Sequence, residues 1–306
     1  MTGSSIALGE RIEREESFAT LLPIELSRRT GRSIELYNES MGWGFARNTS
    51  LRFGDVLKAK PDLILWALTP GDILRASFLS PSMNGSTSMS PTTARKSSLS
   101  IPTKVWAFMN APLSTKKAKV TETLDKTEVP LVLRHFLYQS QSIFVNANIK
   151  VAGDETSTYG GEEETGFLRS EPNQSWKNHL MEFDKYAADI EGRAKAANIP
   201  FVAVLVPNRP QAALISMGEW PRGYDPYKLS DELRSIILSH GGIYVDICPD
   251  FRSVPNSEQY YLPVDGHPDA TGHAIISGFL AKELTSGAVP ELKAASLPPL
   301  SPAQRK

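Results

Sequence analysis

The chain has 306 residues, with 33 Lys plus Arg against 34 Asp plus Glu, a net charge of −1, and 41% hydrophobic and 8% aromatic residues. This composition supports a sizeable core and excludes wholesale disorder; without a basic excess it gives no basis for nucleic-acid binding. The longest apolar runs, residues 63–68 and 201–206, fall far short of the roughly 20 residues a membrane helix needs, and the single cysteine, Cys248, excludes a disulfide framework or a cysteine-rich metal site.

Residues 1–15 lack a basic start followed by an apolar stretch, so no export signal is read there. Residues 15–29 place Phe18, Leu21, Leu22 and Leu26 at helical spacing, with Gly31 as a stop. Residues 33–37 are a short strand candidate. Residues 45–58 are a second helix, and 63–68 a strand apolar on both faces, as in a parallel sheet covered by helices. Residues 77–104 are dense in Ser and Thr, contain prolines and show no periodicity, which predicts a surface excursion without fixed structure. Residues 102–110 suggest a strand, 129–149 a helix and 154–164 an acidic loop. Regular alternation resumes with a long helix at 173–197, a strand at 199–206, a helix at 230–239, a strand at 242–247 and a helix at 270–284.

This alternation predicts an α/β fold, a three-layer, flavodoxin-like parallel sheet flanked by helices. One discontinuous domain is expected from residues 1–76 and 171–286. An insertion at 77–170 serves as a cap, and 287–306 form a disordered tail.

Four segments carry candidate chemistry. Asp265-Gly266-His267-Pro268 lies ahead of the last helix, where a carboxylate beside an imidazole can orient it and stabilise its protonated form. Gly3-Ser4-Ser5-Ile6-Ala7-Leu8-Gly9 opens the chain, residues 38–44 follow the second strand, and Thr69-Pro70-Gly71-Asp72 follow the buried strand. Each taken alone also reads as an ordinary turn. His273 reads as a helix-face or core residue. Open parallel sheets bind ligands outside the carboxyl ends of their strands, where three of these segments fall.

In order and spacing the four segments resemble the blocks of the SGNH (GDSL-type) hydrolase family, over residues 3–72 and about 172–284. Ser4 stands where the family's first block has Asp, and Gly71 where its third block has Asn. One residue separates Asp265 from His267, where many members have two. The resemblance implies Ser5 as nucleophile, His267 as general base and acid, and Asp265 as the group that holds the imidazole. Backbone N–H groups of Ser5 and of the Ser40–Gly42 turn would receive the oxyanion, and Gly71 marks a position without a side-chain donor. Losing one such donor costs on the order of 10²–10³ in turnover.

The resemblance thus implies a metal-independent, cofactor-free serine esterase acting on an acyl or O-acetyl ester, with a small-molecule or carbohydrate ester as substrate. Two alternatives stay open: a weak or inactive relative that binds a glycan or acyl group, and an O-acyltransferase. The family's first block follows a buried central strand, for which Met1 and Thr2 are too few. Five or six buried apolar residues there would contribute about 8–18 kcal/mol gross. An upstream apolar extension is therefore expected. The chain as it stands reads as cytoplasmic, and an extension with an export signal would place it in the cell envelope.

Overall fold

The computed structural model describes residues 1–78, 165–262 and 266–293. Four parallel strands form the sheet: β1 (Thr2–Gly3), β2 (Ile64–Leu68), β3 (Phe201–Leu205) and β4 (Ile243–Val245), adjacent in that order. Ile64 pairs with Phe201 and Val202 with Ile243, so β2 to β4 stay in step. Every residue of β2 and β3 is buried, as expected of strands covered on both faces.

β1 meets only the end of β2, through Thr2 opposite Trp66 and Gly3 opposite Ala67. Its other edge is used as well. The Met1 nitrogen donates to the Tyr37 carbonyl at 2.6 Å, the Glu39 N–H to the Met1 carbonyl at 2.9 Å, and the Met41 N–H to the Gly3 carbonyl at 3.2 Å. The predicted strand at 33–37 is therefore an extended segment whose bonded part lies later, at 37–41. Its partner is two residues long, too short a ladder to define a full strand. With this segment in second place along the chain, the sheet reads 2-1-3-4-5, an order compatible with a flavodoxin-like fold.

The helices of the sheet layers are α1 (Ser5–Leu8), α2 (Phe18–Thr30), α3 (Ala46–Lys58), α4 (Pro70–Leu74), α5 (Gln174–Ala196), α6 (Arg209–Met217), α7 (Lys228–His240) and α8 (Ala270–Glu283). α2 packs on α8, whereas α3, α5 and α7 form a second contiguous group. The starts are capped locally: Ser17, Asn173 and Asn208 each accept an N–H from the first turn of α2, α5 and α6. Gly31 ends α2 at φ 68°, the left-handed conformation that suits glycine. In the core, Trp66 of β2 stacks on Phe183 of α5 with centroids 5.2 Å apart and meets Phe201 edge-on at 5.9 Å. Truncating such a buried aromatic to alanine costs about 3–5 kcal/mol.

Two expected boundaries move. The core resumes before residue 171, since Phe167 and Leu168 are buried and Phe167 packs on Trp176. It also runs past residue 286, because Val289 and Leu292 are buried beyond the π-helical turn Leu284–Ala288. Apolar residues that can reach the core are ordered by it even within a Pro- and Ala-rich stretch. The expected strand at 102–110, the helix at 129–149, the acidic loop at 154–164 and nearly all of the 77–104 excursion lie outside the described residues. Among the described residues no helix is long and apolar enough to cross a membrane.

Candidate active site

The first segment turns sharply from β1 into α1, and its two glycines are there for steric reasons. A Cβ on Gly3 would come within 2.5 Å of the Ala67 carbonyl oxygen and 2.7 Å of the Ala7 methyl. Gly9 ends α1 at φ 86°, and a Cβ there would lie 2.8 Å from that of Ser17. The turn places half-buried Ser5 at the carboxyl end of β1, as the first residue of α1.

His267 comes from the opposite end of the chain. Residues 261–262 and 267–268 run antiparallel: Tyr261 bridges Pro268, the Leu262 N–H donates to the His267 carbonyl at 2.7 Å, and the Gly266 N–H to the Leu262 carbonyl at 3.0 Å. The Tyr261 hydroxyl ties this hairpin to the Pro207 carbonyl at 2.8 Å, just after β3. Pro268 precedes Asp269, the N-cap of α8, which accepts the Gly272 N–H at 2.8 Å. The hairpin holds the half-buried imidazole so that its Nε2 lies 2.7 Å from Ser5 Oγ. A nucleophile–base pair operates at this distance. With Nε2 accepting from the hydroxyl, the ring proton sits on Nδ1. Asp265 lies outside the described residues.

A second cluster supports the turn from below. Asp72, with no exposed surface, accepts three hydrogen bonds on Oδ2: from the Ser4 hydroxyl at 3.0 Å, the Thr69 N–H at 2.7 Å and the Thr69 hydroxyl at 2.5 Å. Ser4 occupies the N-cap position of α1, yet its side chain makes no cap there and reaches to Asp72 instead. The carboxylate thereby pins Ser4, the residue before Ser5, to the end of β2. Burial pushes its pKa up to about 6, against the opposing pull of the Thr69 and Ser4 hydrogen bonds. The sequence signal for this residue is Thr69 with Asp72 three positions on, a capping box.

The expected oxyanion donors narrow. The Ser40 N–H donates to Asn38 Oδ1 at 3.1 Å and the Met41 N–H to the Gly3 carbonyl. Ser40 is thus corrected as a donor, because a local Asx turn takes its N–H. Of these three residues, Gly42 alone has no acceptor for its N–H among the described residues. Gly71 sits in the first turn of α4 at the carboxyl end of β2. Among the described residues a Cβ there would meet only Thr69 Oγ1 and Arg75 Nη1, each at 3.5 Å, so the space they leave admits a side chain that the sequence does not supply.

His273 lies in the core. It stacks on Phe18 at 5.5 Å and accepts the Phe18 N–H on Nδ1 at 3.2 Å. Burial, and secondarily the neighbouring His267, lower its pKa to about 4, so it stays neutral near pH 7. Among the described residues no three His, Cys, Asp or Glu side chains converge as a metal site.

Neither family models, curated proteins nor solved structures match this chain. The assignment of chemistry therefore rests on the site itself.

Proposed function

We propose that this protein is a serine ester hydrolase of the SGNH type, acting on an acyl or O-acetyl ester. The observation that carries the reading is the Ser5 Oγ–His267 Nε2 distance of 2.7 Å at the carboxyl edge of a parallel sheet. Ser5 Oγ attacks the ester carbonyl while His267 Nε2 takes its proton. The tetrahedral oxyanion rests on the N–H of Ser5, which has no intrahelical acceptor in the first turn of α1, and on that of Gly42. Collapse breaks the bond to the alcohol, which leaves with the proton from His267. Water, deprotonated by the same imidazole, then hydrolyses the acyl-enzyme and regenerates Ser5. Asp265 is assigned to orient the imidazole by the sequence resemblance alone. No step needs a metal or a cofactor.

The test is hydrolysis of p-nitrophenyl acetate together with covalent labelling by a fluorophosphonate. Both should be present in the parent protein, and Ser5→Ala should abolish both. Labelling that persists in Ser5→Ala would mean that another residue is the nucleophile. The glycine at position 71 favours a second reading, in which turnover is slow and the cleft mainly binds its acyl or glycan ligand. A labelled parent with no measurable turnover on any short ester would support that reading.

A further inference from the structure

The turn at residues 41–44, which is bonded to Gly3 of β1, carries a feature that ester cleavage alone does not require. The Gly44 N–H donates to the Met41 carbonyl at 2.9 Å, which closes a four-residue turn. Its third position needs positive φ and favours glycine. Glycines stand on either side, at 42 and 44, yet Trp43 takes the position at φ 62°. For a bulky side chain this is a genuine outlier. The conformation is held in place: buried Asn48 donates its amide to the Trp43 carbonyl, and Thr49 Oγ1 donates to the Gly44 carbonyl at 3.1 Å. Backbone strain of this kind, fixed by its surroundings, clusters at ligand sites.

The turn presents an aromatic surface. The rings of Trp43 and Phe78 lie 5.7 Å apart at a 32° tilt. Phe45 props both from the side, at 6.2 Å and 5.8 Å with interplanar angles of 89° and 78°. Phe45 is buried, while Trp43 keeps 57% and Phe78 37% of its surface exposed among the described residues. The two backbone segments that carry the rings are clamped together. The Arg47 N–H donates to the Ala76 carbonyl at 2.9 Å and its guanidinium to the Ser77 carbonyl at 3.1 Å. The platform is therefore formed before any ligand arrives, which reduces the ordering cost of binding. The turn that carries Trp43 also packs on β1, because Gly44 abuts the carbonyl of Gly3, two residues before Ser5.

We propose that Trp43, Phe45 and Phe78 form a stacking subsite for a sugar ring, which makes the substrate an acylated carbohydrate. This rests on the esterase reading of Ser5 and His267. A sugar ring has an apolar C–H face and a rim of hydroxyls. The platform offers a flat apolar face, with the Glu10 carboxylate beside Gly42 and the Arg75 guanidinium 5.9 Å over the Phe45 ring as polar neighbours. Ligand sites pair apolar area with a few placed polar groups in this way. An alkyl chain gains its burial from enclosure on several sides, whereas among the described residues this surface covers one. Trp43 and Phe78 touch each other, so no slot remains between them for a planar base.

The test uses the full chain. Calorimetry on the Ser5→Ala protein, titrated with xylotetraose, cellotetraose and chitotetraose, should give saturable binding to at least one. Phe78→Ala should weaken that binding at least fivefold, and Trp43→Gly should abolish it. Trp43→Gly should melt at or above the parent temperature, because glycine relieves the left-handed position, so lost binding would not reflect lost folding. With Ser5 present, Trp43→Gly should lower kcat/KM for acetylated xylotetraose at least tenfold relative to p-nitrophenyl acetate. The ratio of p-nitrophenyl decanoate to p-nitrophenyl acetate should stay within twofold. Three results would overturn the proposal: no binding of any tetrasaccharide at millimolar concentration, binding indifferent to both substitutions, or selective loss of the decanoate. Binding in a protein that hydrolyses no ester would retain the sugar subsite and refute the esterase reading. Ester hydrolysis without sugar binding would do the reverse.

Discussion

Glu191 allows a stability prediction that is independent of the active site. It lies on α5 with 2% of its surface exposed and its carboxylate against Gly242, in the turn between α7 and β4. The Gly242 N–H gives partial relief but also donates to the Ile237 carbonyl at 3.1 Å. Asp184, two turns earlier on the same helix, adds like charge and is itself bound to His240 at 2.7 Å. Burial first, and Asp184 in addition, raise the Glu191 pKa from 4.5 to about 8. Between these two values the folded protein keeps a proton that the unfolded chain releases. Stability is therefore full below pH 4.5 and falls as pH rises toward 8. At 1.36 kcal/mol per pH unit the whole interval corresponds to about 5 kcal/mol. Relaxation around the charged form should reduce the measured effect to roughly 2–4 kcal/mol, still a large part of a domain's net stability of about 5–15 kcal/mol. Glu191→Gln keeps the volume and removes the charge. Urea unfolding of parent and variant at pH 5 and pH 8 should show the variant gaining stability relative to the parent by that amount at the higher pH. Parallel pH profiles would refute the argument, because they would mean that Glu191 ionises in the folded state without penalty.

Three further outcomes are expected. Gly71→Asn fills a position with room for a side chain and adds an amide near the oxyanion, so kcat on p-nitrophenyl acetate should rise by about 10-fold or more; an unchanged or lower kcat would place Gly71 away from the reacting carbonyl. Ser4→Ala removes one of three donors to buried Asp72 and should cost roughly 1–2 kcal/mol in urea unfolding while slowing fluorophosphonate labelling of Ser5, whereas an unaltered labelling rate would show that the Ser4–Asp72 bond does not position the nucleophile. The His273 pKa is lowered from 6.5 to about 4, so its contribution is full above pH 6.5 and is lost as pH falls toward 4. His273→Gln should flatten that acid limb while a side-chain oxygen still accepts the Phe18 N–H, and an acid limb unaltered in the variant would count against the buried imidazole.

The parts of this fold legible in the sequence are those fixed by local sterics or burial on both faces. The apolar runs of β2 and β3 could be read because both faces are covered. Gly3 and Gly9 flank Ser5 for reasons a spacing pattern captures, since neither position accepts a Cβ. Asp72 was harder to read, because a capping box looks the same whether or not a distant Ser4 also donates to it. Trp43 runs against local expectation: a turn with two glycines should put one of them at positive φ, and only the ring contacts with Phe45 and Phe78 single out the tryptophan. α6 offers Asn208 and Pro210 as start signals, but Gly218 ends it after 9 residues, too few to establish a period. The narrowing from Ser40 to Gly42 depends on which N–H groups are already used, and residue types do not reveal that.

The pairing of Ser5 with His267 spans 262 positions of the chain. Synthesis from the N-terminus delivers Ser5 262 positions ahead of the imidazole that it meets in the folded protein. Local helices can form on the emerging chain, but this contact closes a loop of 262 positions and must wait for the residues ahead of α8. Under the proposed esterase reading, a chain whose His267 has not reached Ser5 lacks the base for attack on an ester. That reading ties reactivity to the docking of α8 on α2, which accompanies the approach of His267 to Ser5. With Ser5 as the proposed nucleophile, its labelling by a fluorophosphonate would report that docking, and a chain stalled before His267 would show none.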